Sequence, residues 1–431
     1  MTTFQIVLLV VFGVFILAGV FSFALYRGGS SNQTPTITIW GTLDQSTMNS
    51  LINKVAGSGA NIYYVQKNPA TFNTDLVNAV ATGRGPDVIL GTQSQIFSNN
   101  SLLTVVPYQY YSQRTFLNTF ITEADLYLGG QGITAFPIGV DPLVMYWNRA
   151  LFSNAGIATP PTTWNQLVAM VPKLTVVDKA YNINQSAVGM GDYANVNNAK
   201  AILSLLILQA GNPIVGVDQN GNWIATLGGG NNDAVVAENA LSFYTQFADP
   251  TSATYSWNSA LQSSQDMFIA NQLALYFGFA SEYNILSQKN PNLDFDVAPV
   301  PQLSKSQNGQ LQGSGQYTTY GNLYAFAIMR QSPNTSTALS DILMLTSQTA
   351  AGLWSSFTGL PSARLDSLSA NPANSIEPVF NQSALWSRGW IDPNTTATDQ
   401  IFQTMVTSVT SGQSDSTGAI NTAQSALTAA L

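Results

Sequence analysis

A chain of 431 residues exceeds one ordinary core, and its 45% hydrophobic content can fill two lobes of about 150–200 residues each. Only 8% of its residues are charged, the formal net charge is -8 and no basic cluster occurs, which argues against nucleic acid and against an anionic membrane surface as partners. Cys and His are both absent, which excludes disulfides, thiol nucleophiles, iron–sulfur clusters, a Ser-His-Asp triad and an imidazole zinc site within the chain.

Residues 4–26 carry no charge and are mostly Val, Leu, Ile and Phe, long enough as a helix to cross a bilayer. They are expected to form a transmembrane anchor. A cleaved signal peptide is the alternative, with Ser22-Phe23-Ala24 as a weak cleavage site, but the apolar run is long for one and no basic residue precedes it. Residues 27–35 read as a flexible linker. From Thr36 the pattern alternates strand and helix: Thr36–Trp40, Gln45–Val55, Asn61–Val65, Phe72–Ala81 and Val88–Leu90. That order predicts a parallel sheet with helices on its faces, and ligands meet such sheets at the carboxyl ends of the strands. The loops at those ends contain Trp40 to Asp44 and Gly91 to Ser94. Asp87 follows a proline in a turn and is expected to brace it.

Residues 131–167 are the most informative stretch. Gly132–Pro137 reads as a short strand ended by proline, Asp141-Pro142 as a break, and Leu143–Trp147 as a second strand. Asn148–Ala155 reads as a short helix closed by Gly156. Thr163 with Gln166 three residues later predicts a capping box, so a new helix starts there. Strand, interruption and strand predict a path between two lobes. Further on, Ala187–Met190 reads as a strand, Ala199–Ala210 and Val235–Phe247 as helices, and Leu275–Phe279 as a strand. Residues 302–319 read as an exposed loop, Gly321–Met329 as a strand, and Asp399–Val409 and Ala419–Leu431 as the last helices.

The run Phe136-Pro137, Asp141, Met145-Tyr146-Trp147-Asn148-Arg149 and Pro161-Thr162-Thr163-Trp164 resembles the extracellular solute-binding proteins of the maltose-binding type, the substrate-capturing subunits of ABC sugar importers. Gly83–Leu90, Phe268, Ala274, Gly278, the proline run at Asp296–Pro301 and Gly359-Leu360-Pro361-Ser362 extend the likeness over about residues 36–431. The chain departs from it where Gly91 and Ser94 replace an aromatic and an acidic residue, and where no Trp follows Gly278. The resemblance implies an α/β, two-lobed periplasmic-binding-protein-like fold of type II with an interlobe hinge. Lobe 1 would comprise residues 36–140 with 302–355, and lobe 2 residues 141–301 with 356–431. It implies a monomeric binding protein, not an enzyme, with no cofactor and no metal, that delivers a carbohydrate to ABC permease subunits from a membrane-anchored position outside the cell. The alternatives are a non-sugar solute (an amino acid, polyamine or peptide) and a surface glycan-binding role.

Sugar recognition needs aromatic rings for the apolar faces of the pyranose and carboxylates or amides for its hydroxyls. The expected ligand-binding residues are Trp40, Asp44, Gln93 and Asp141 from the first lobe and Asp192, Tyr193, Glu282 and Tyr283 from the second. The resemblance singles out Asp141, because family members place a ligand-binding carboxylate at that crossing. Trp164 is expected in the core, and Trp386 and Trp390 as a late wall of the cleft. Paired carboxylates permit hydrolysis in principle, but no spacing selects a pair. Asn-x-Ser/Thr triplets at Asn184, Asn334, Asn381 and Asn394 are expected by chance.

Overall fold

Alternating apolar residues make β1 (Ile37–Gly41), whose parallel neighbours are β2 (Ile62–Gln66) and β3 (Val88–Thr92). The computed structural model describes residues 35–57, 61–180, 182–228, 233–304, 313–368 and 375–431. The expected anchor and all but the last residue of the linker lie outside them. Among the described residues no helix is long and apolar enough to cross a membrane. The helix Gln45–Ala56 follows β1 and starts at Asp44, whose carboxylate accepts from Thr47 N at 2.8 Å. Asp87 is structural but reaches beyond its own turn, accepting from Thr38 N of β1 at 3.0 Å and from the Ser332 hydroxyl at 2.6 Å.

A small sheet of β4 (Val106–Pro107), β5 (Leu128–Gly129) and β6 (Gly132–Ile133) precedes β7, Phe136–Asn148. This corrects the expected interruption, because β7 runs through both prolines for thirteen residues. Both are placed where a missing N–H is tolerated. Pro137 sits beside a bulge, at which Tyr324 faces Gly139 and Ala325 faces Pro137. Pro142 lies where β7 changes partners, and its carbonyl accepts from Ala280 N at 3.0 Å.

After β8 (Val176–Val177), β9 (Ile183–Val188) and the hairpin β10 (Val215–Val217) with β11 (Trp223–Ala225), β12 (Leu273–Phe279) lies antiparallel to the second half of β7. Next, β13 (Phe295–Ala298) pairs with the last residues of β7. The chain returns through β14 (Thr319–Ile328), which pairs with both β7 and β3, and β15 (Ser387–Arg388) pairs with its start. The chain thus returns to β3 through β14. One ten-stranded sheet results, in the order β2-β1-β3-β14-β7-β12-β9-β8 with β13 and β15 at its side, and residues Ile37–Leu431 form one unit.

Thr163 caps the helix Trp164–Leu174 by accepting from Gln166 N at 3.3 Å, while Gln166 reaches back to Thr162 N, one residue earlier than a capping box requires. Trp164 is in the core as expected. Its Nε1 donates to buried Gln209 Oε1 at 2.6 Å, and Gln209 Nε2 donates to the Pro301 and Thr318 carbonyls at 3.0 and 2.8 Å. Gln209 thus ties the helix Ala199–Ala210 to the residues that lead into β14. Gln209→Leu strands a buried N–H and a buried carbonyl, at roughly 1–3 kcal/mol each. A loss of about 2–4 kcal/mol in chemical denaturation is expected; an unchanged midpoint would show that the relay carries no stability.

The last helices begin earlier than their apolar pattern suggests, at Thr395 and Ser416. Asn394 and Asp415 cap them, accepting from Ala397 N at 3.2 Å and from Gly418 N at 2.8 Å.

Candidate functional site

The two halves of the sheet meet along β7 and β14, and Asp141 sits at that junction opposite Asn322. Its side chain is 5% exposed, and its carboxylate accepts from Ser281 N at 3.0 Å. Burial raises the Asp141 carboxyl to about 7; the hydrogen bonds from Ser281 oppose this, and the charge of Glu282 adds to it.

Glu282, three residues past the end of β12, is satisfied from within its own half. Oε1 accepts from Asn198 Nδ2 at 2.7 Å and Phe279 N at 2.9 Å, while Oε2 accepts from Gln265 Nε2 at 2.8 Å and the Tyr276 hydroxyl at 2.5 Å. Asn198 adopts φ +62°, in the left-handed region that asparagine tolerates better than most residues. Four donors occupy the carboxylate, so Glu282 braces its own half of the sheet beside Ser281.

Beside Ser281 lies a cavity of about 480 Å³. On one side Ala280, Ser281, Tyr283 and Asn284 line it; on the other, Ser355, Ser356, Gly359, Leu360 and Pro361 do so, with Glu377, Phe380 and Asn381 closing it. The Pro361 carbonyl accepts from Val140 N at 3.1 Å, so the cavity wall is stitched directly to β7. The Tyr283 ring packs 5.6 Å from Phe295 and 6.4 Å from Phe380. Trp354 lies flat against β7 because residue 139 is glycine: a Cβ there would stand 2.0 Å from Trp354 Nε1.

The other expected residues lie apart from this cavity. The Trp40 ring is half-buried and covered by Lys67, whose Nζ stands 3.5 Å from the ring centroid. The Asp44 carboxylate caps a helix and is held below its ordinary value by hydrogen bonds from Ser46 and Thr47. Gln93 is buried at the first turn after β3 and donates to the Trp390 carbonyl at 3.0 Å. Asp192 accepts from Tyr193 N at 2.6 Å, and the Tyr193 hydroxyl donates to Asp399 at 2.6 Å. Asp141, Glu282 and Tyr283 therefore come together, and Asp192 and Tyr193 form a second group. Trp390 is buried against Phe402, and Trp386 stacks on Tyr317, so they do not wall this cavity.

Sequence reasoning missed Ser281, although it is adjacent to a residue it selected. It also missed Ser355 and Ser356, which carry no pattern, and the ion pair between Lys200 and Asp392, whose Nζ–Oδ2 distance is 2.6 Å. Lys200 also donates to Thr398 Oγ1 at 2.6 Å.

The family model for bacterial extracellular solute-binding proteins matches residues 42–347. Among curated proteins none matches the sequence. Three solved structures share the fold. A cyclic alpha-maltosyl-1,6-maltose binding protein from Arthrobacter globiformis aligns with TM-score 0.74 at 14% identity, covering 92% of this chain and 99% of its own. A cyclo/maltodextrin-binding protein complexed with maltotetraose aligns with TM-score 0.72 at 15% identity, covering 92% and 98%. An ABC transporter solute-binding protein from Thermotoga lettingae, bound with alpha-D-tagatose, aligns with TM-score 0.65 at 20% identity, covering 92% and 99%. The architecture is thus the two-lobed α/β solute-binding fold that the sequence motifs imply, and the chain belongs to the bacterial extracellular solute-binding protein family.

Proposed function

We propose that the protein captures a carbohydrate in the cavity beside Asp141 and delivers it to the permease subunits of an ABC transporter. The observation that carries this reading is the chemistry of the cavity wall. Hydroxyl and amide side chains from both flanks surround Tyr283 and Phe380, an acidic residue lies directly behind Ser281, and no Lys or Arg is among the described lining residues. Such a wall suits a neutral polyol, whose hydroxyls need acceptors and whose ring faces need apolar cover. The maltodextrin and tagatose complexes of the structural neighbours support the same ligand class. Asp141 supplies the carboxylate and Tyr283 the ring.

Closure of the two lobes, with residues 280–284 on one flank of the cavity and residues 352–361 on the other, would be favoured by contacts made only when ligand lies between those flanks. The apolar segment 4–26 would hold a monomeric binding domain at the outer face of the membrane and raise its local concentration at the permease. Binding without turnover completes the role.

A thermal-melt screen of the full chain against neutral saccharides, amino acids and polyamines tests this. A ligand at 100 times its dissociation constant adds about 2.7 kcal/mol, worth roughly 3 °C in a unit of this size. A shift with a saccharide that is recovered intact supports capture for import. A shift only with a polyamine or amino acid keeps the fold and overturns the carbohydrate, and a cleaved saccharide overturns binding without turnover.

A further inference from the structure

Glu123 lies on the short 3-10 helix Thr122–Tyr127 and is 1% exposed. Both of its carboxyl oxygens are buried with no hydrogen-bond partner among the described residues, as are Gln93 Oε1 and the Tyr127 hydroxyl. The carboxyl fits only because two residues beside it lack side chains. A Cβ on Gly321 of β14 would stand 2.1 Å from Oε2, and one on Gly389, just after β15, 2.7 Å from Oε1. Arg388 of β15 is the cation acting on this chamber, but its guanidinium is turned elsewhere. It donates to the Ser387 carbonyl at 2.7 Å and to Gln316 Oε1 at 3.1 Å. Burial pushes Glu123 up to about 8, with Arg388 opposing. The titratable groups facing it are Arg388 from β15, Tyr320 from β14 and Tyr127 from its own helix; Asp125 of that helix acts on Arg388 as well, and Gln93 brings only an amide. The other elements packed on that helix, including β5 and β7, bring no charge that acts on it.

We propose that Glu123 is a proton-operated latch on the connection between the two lobes. Neutral, the carboxyl seats between β14 and β15 with only the uncharged Tyr127 and Tyr320 hydroxyls and the Gln93 amide around it. Ionised, it has one available counter-ion, and pairing requires the Arg388 guanidinium to leave Gln316 and turn inward, dragging β15 and the start of β14 with it. By the bounds given above, Glu123 and β14 belong to lobe 1 and β15 to lobe 2, so the pairing would span the lobes; proton binding and interlobe geometry are then linked, and each biases the other. The inference needs the two-lobed fold but not the carbohydrate reading.

The test uses the full chain with no solute present. Because the sequence has no Cys, Asn78→Cys with Lys173→Cys gives two unique positions, one in each lobe, for spin labels. Their distance distribution is followed from pH 5 to 9.5 together with tryptophan fluorescence. In an Asp141→Asn background, which keeps that buried carboxyl from titrating in the same range, the expected result is one transition with a midpoint between about pH 7 and 9. It disappears in Glu123→Gln, which keeps shape and removes the charge. In Arg388→Gln it moves to higher pH by about half a unit or more, because the charged form has lost its counter-ion. A transition that survives in Glu123→Gln overturns the latch. So does its absence from the unmutated latch, and so does an Arg388→Gln midpoint that stays in place.

Discussion

Glu282→Ala is expected to lower the stability of the unliganded protein by about 4 kcal/mol. Removing the carboxylate leaves Asn198 Nδ2, Phe279 N, Gln265 Nε2 and the Tyr276 hydroxyl without their shared acceptor. Hydrogen bonds to a charged group contribute about 1.5–3 kcal/mol each, and four on one carboxylate do not add fully. Asn198 also loses the partner that helps hold it at positive φ, just before the helix Ala199–Ala210. At roughly 0.8 kcal/mol per degree for a unit of this size, Tm should fall by about 5 °C. Calorimetry with no solute present decides the matter. A Tm within a degree of the unmutated protein would mean the four donors find water instead and that the carboxylate is not held for the fold.

The elements that local pattern specifies were legible in the sequence. The alternation of β1, the capped helix at Trp164 and the Gly83–Leu90 turn and strand each depend on neighbours a few residues away. The crossing was legible as a place but not as a shape. Two prolines in thirteen residues read as breaks, and only the switch of partners along β7 shows why they are tolerated. The site was legible to the same degree. Asp141 and Tyr283 were selected from segments near family-like motifs, whereas the residues that line the other flank of the cavity come from distant segments with no such pattern. Lys200 meets Asp392 across 192 positions and Gln93 meets Trp390 across 297, distances at which periodicity carries no information. Aromatic type alone did not separate surface from core: Trp390, expected as a late wall of the cleft, is buried, while Trp40 is half-buried with Lys67 over its ring.

Asp141→Asn should act in opposite directions on stability and on binding. In the unfolded chain this carboxyl ionises near its ordinary value of 3.8, and in the folded chain burial raises it to about 7. The folded state therefore holds the extra proton between those values, so stability from this group is complete below about pH 4 and is lost as pH rises through 7. Asparagine keeps an acceptor for Ser281 N and carries no charge to desolvate. At pH 8 the variant should be more stable by about 2–4 kcal/mol, at 1.36 kcal/mol per pKa unit, and indistinguishable at pH 4. The same exchange removes the charged acceptor that a sugar hydroxyl would use, and affinity for the saccharide identified in the melt screen should drop by about 10–100-fold. A buried carboxyl that costs stability beside a cavity is expected of a site shaped for a ligand rather than for the fold. Melts at pH 4 and pH 8, with titration calorimetry at pH 8, measure both effects. Lower stability at pH 8 would show that the carboxylate is supported in the fold, and unchanged affinity would remove Asp141 from the binding site.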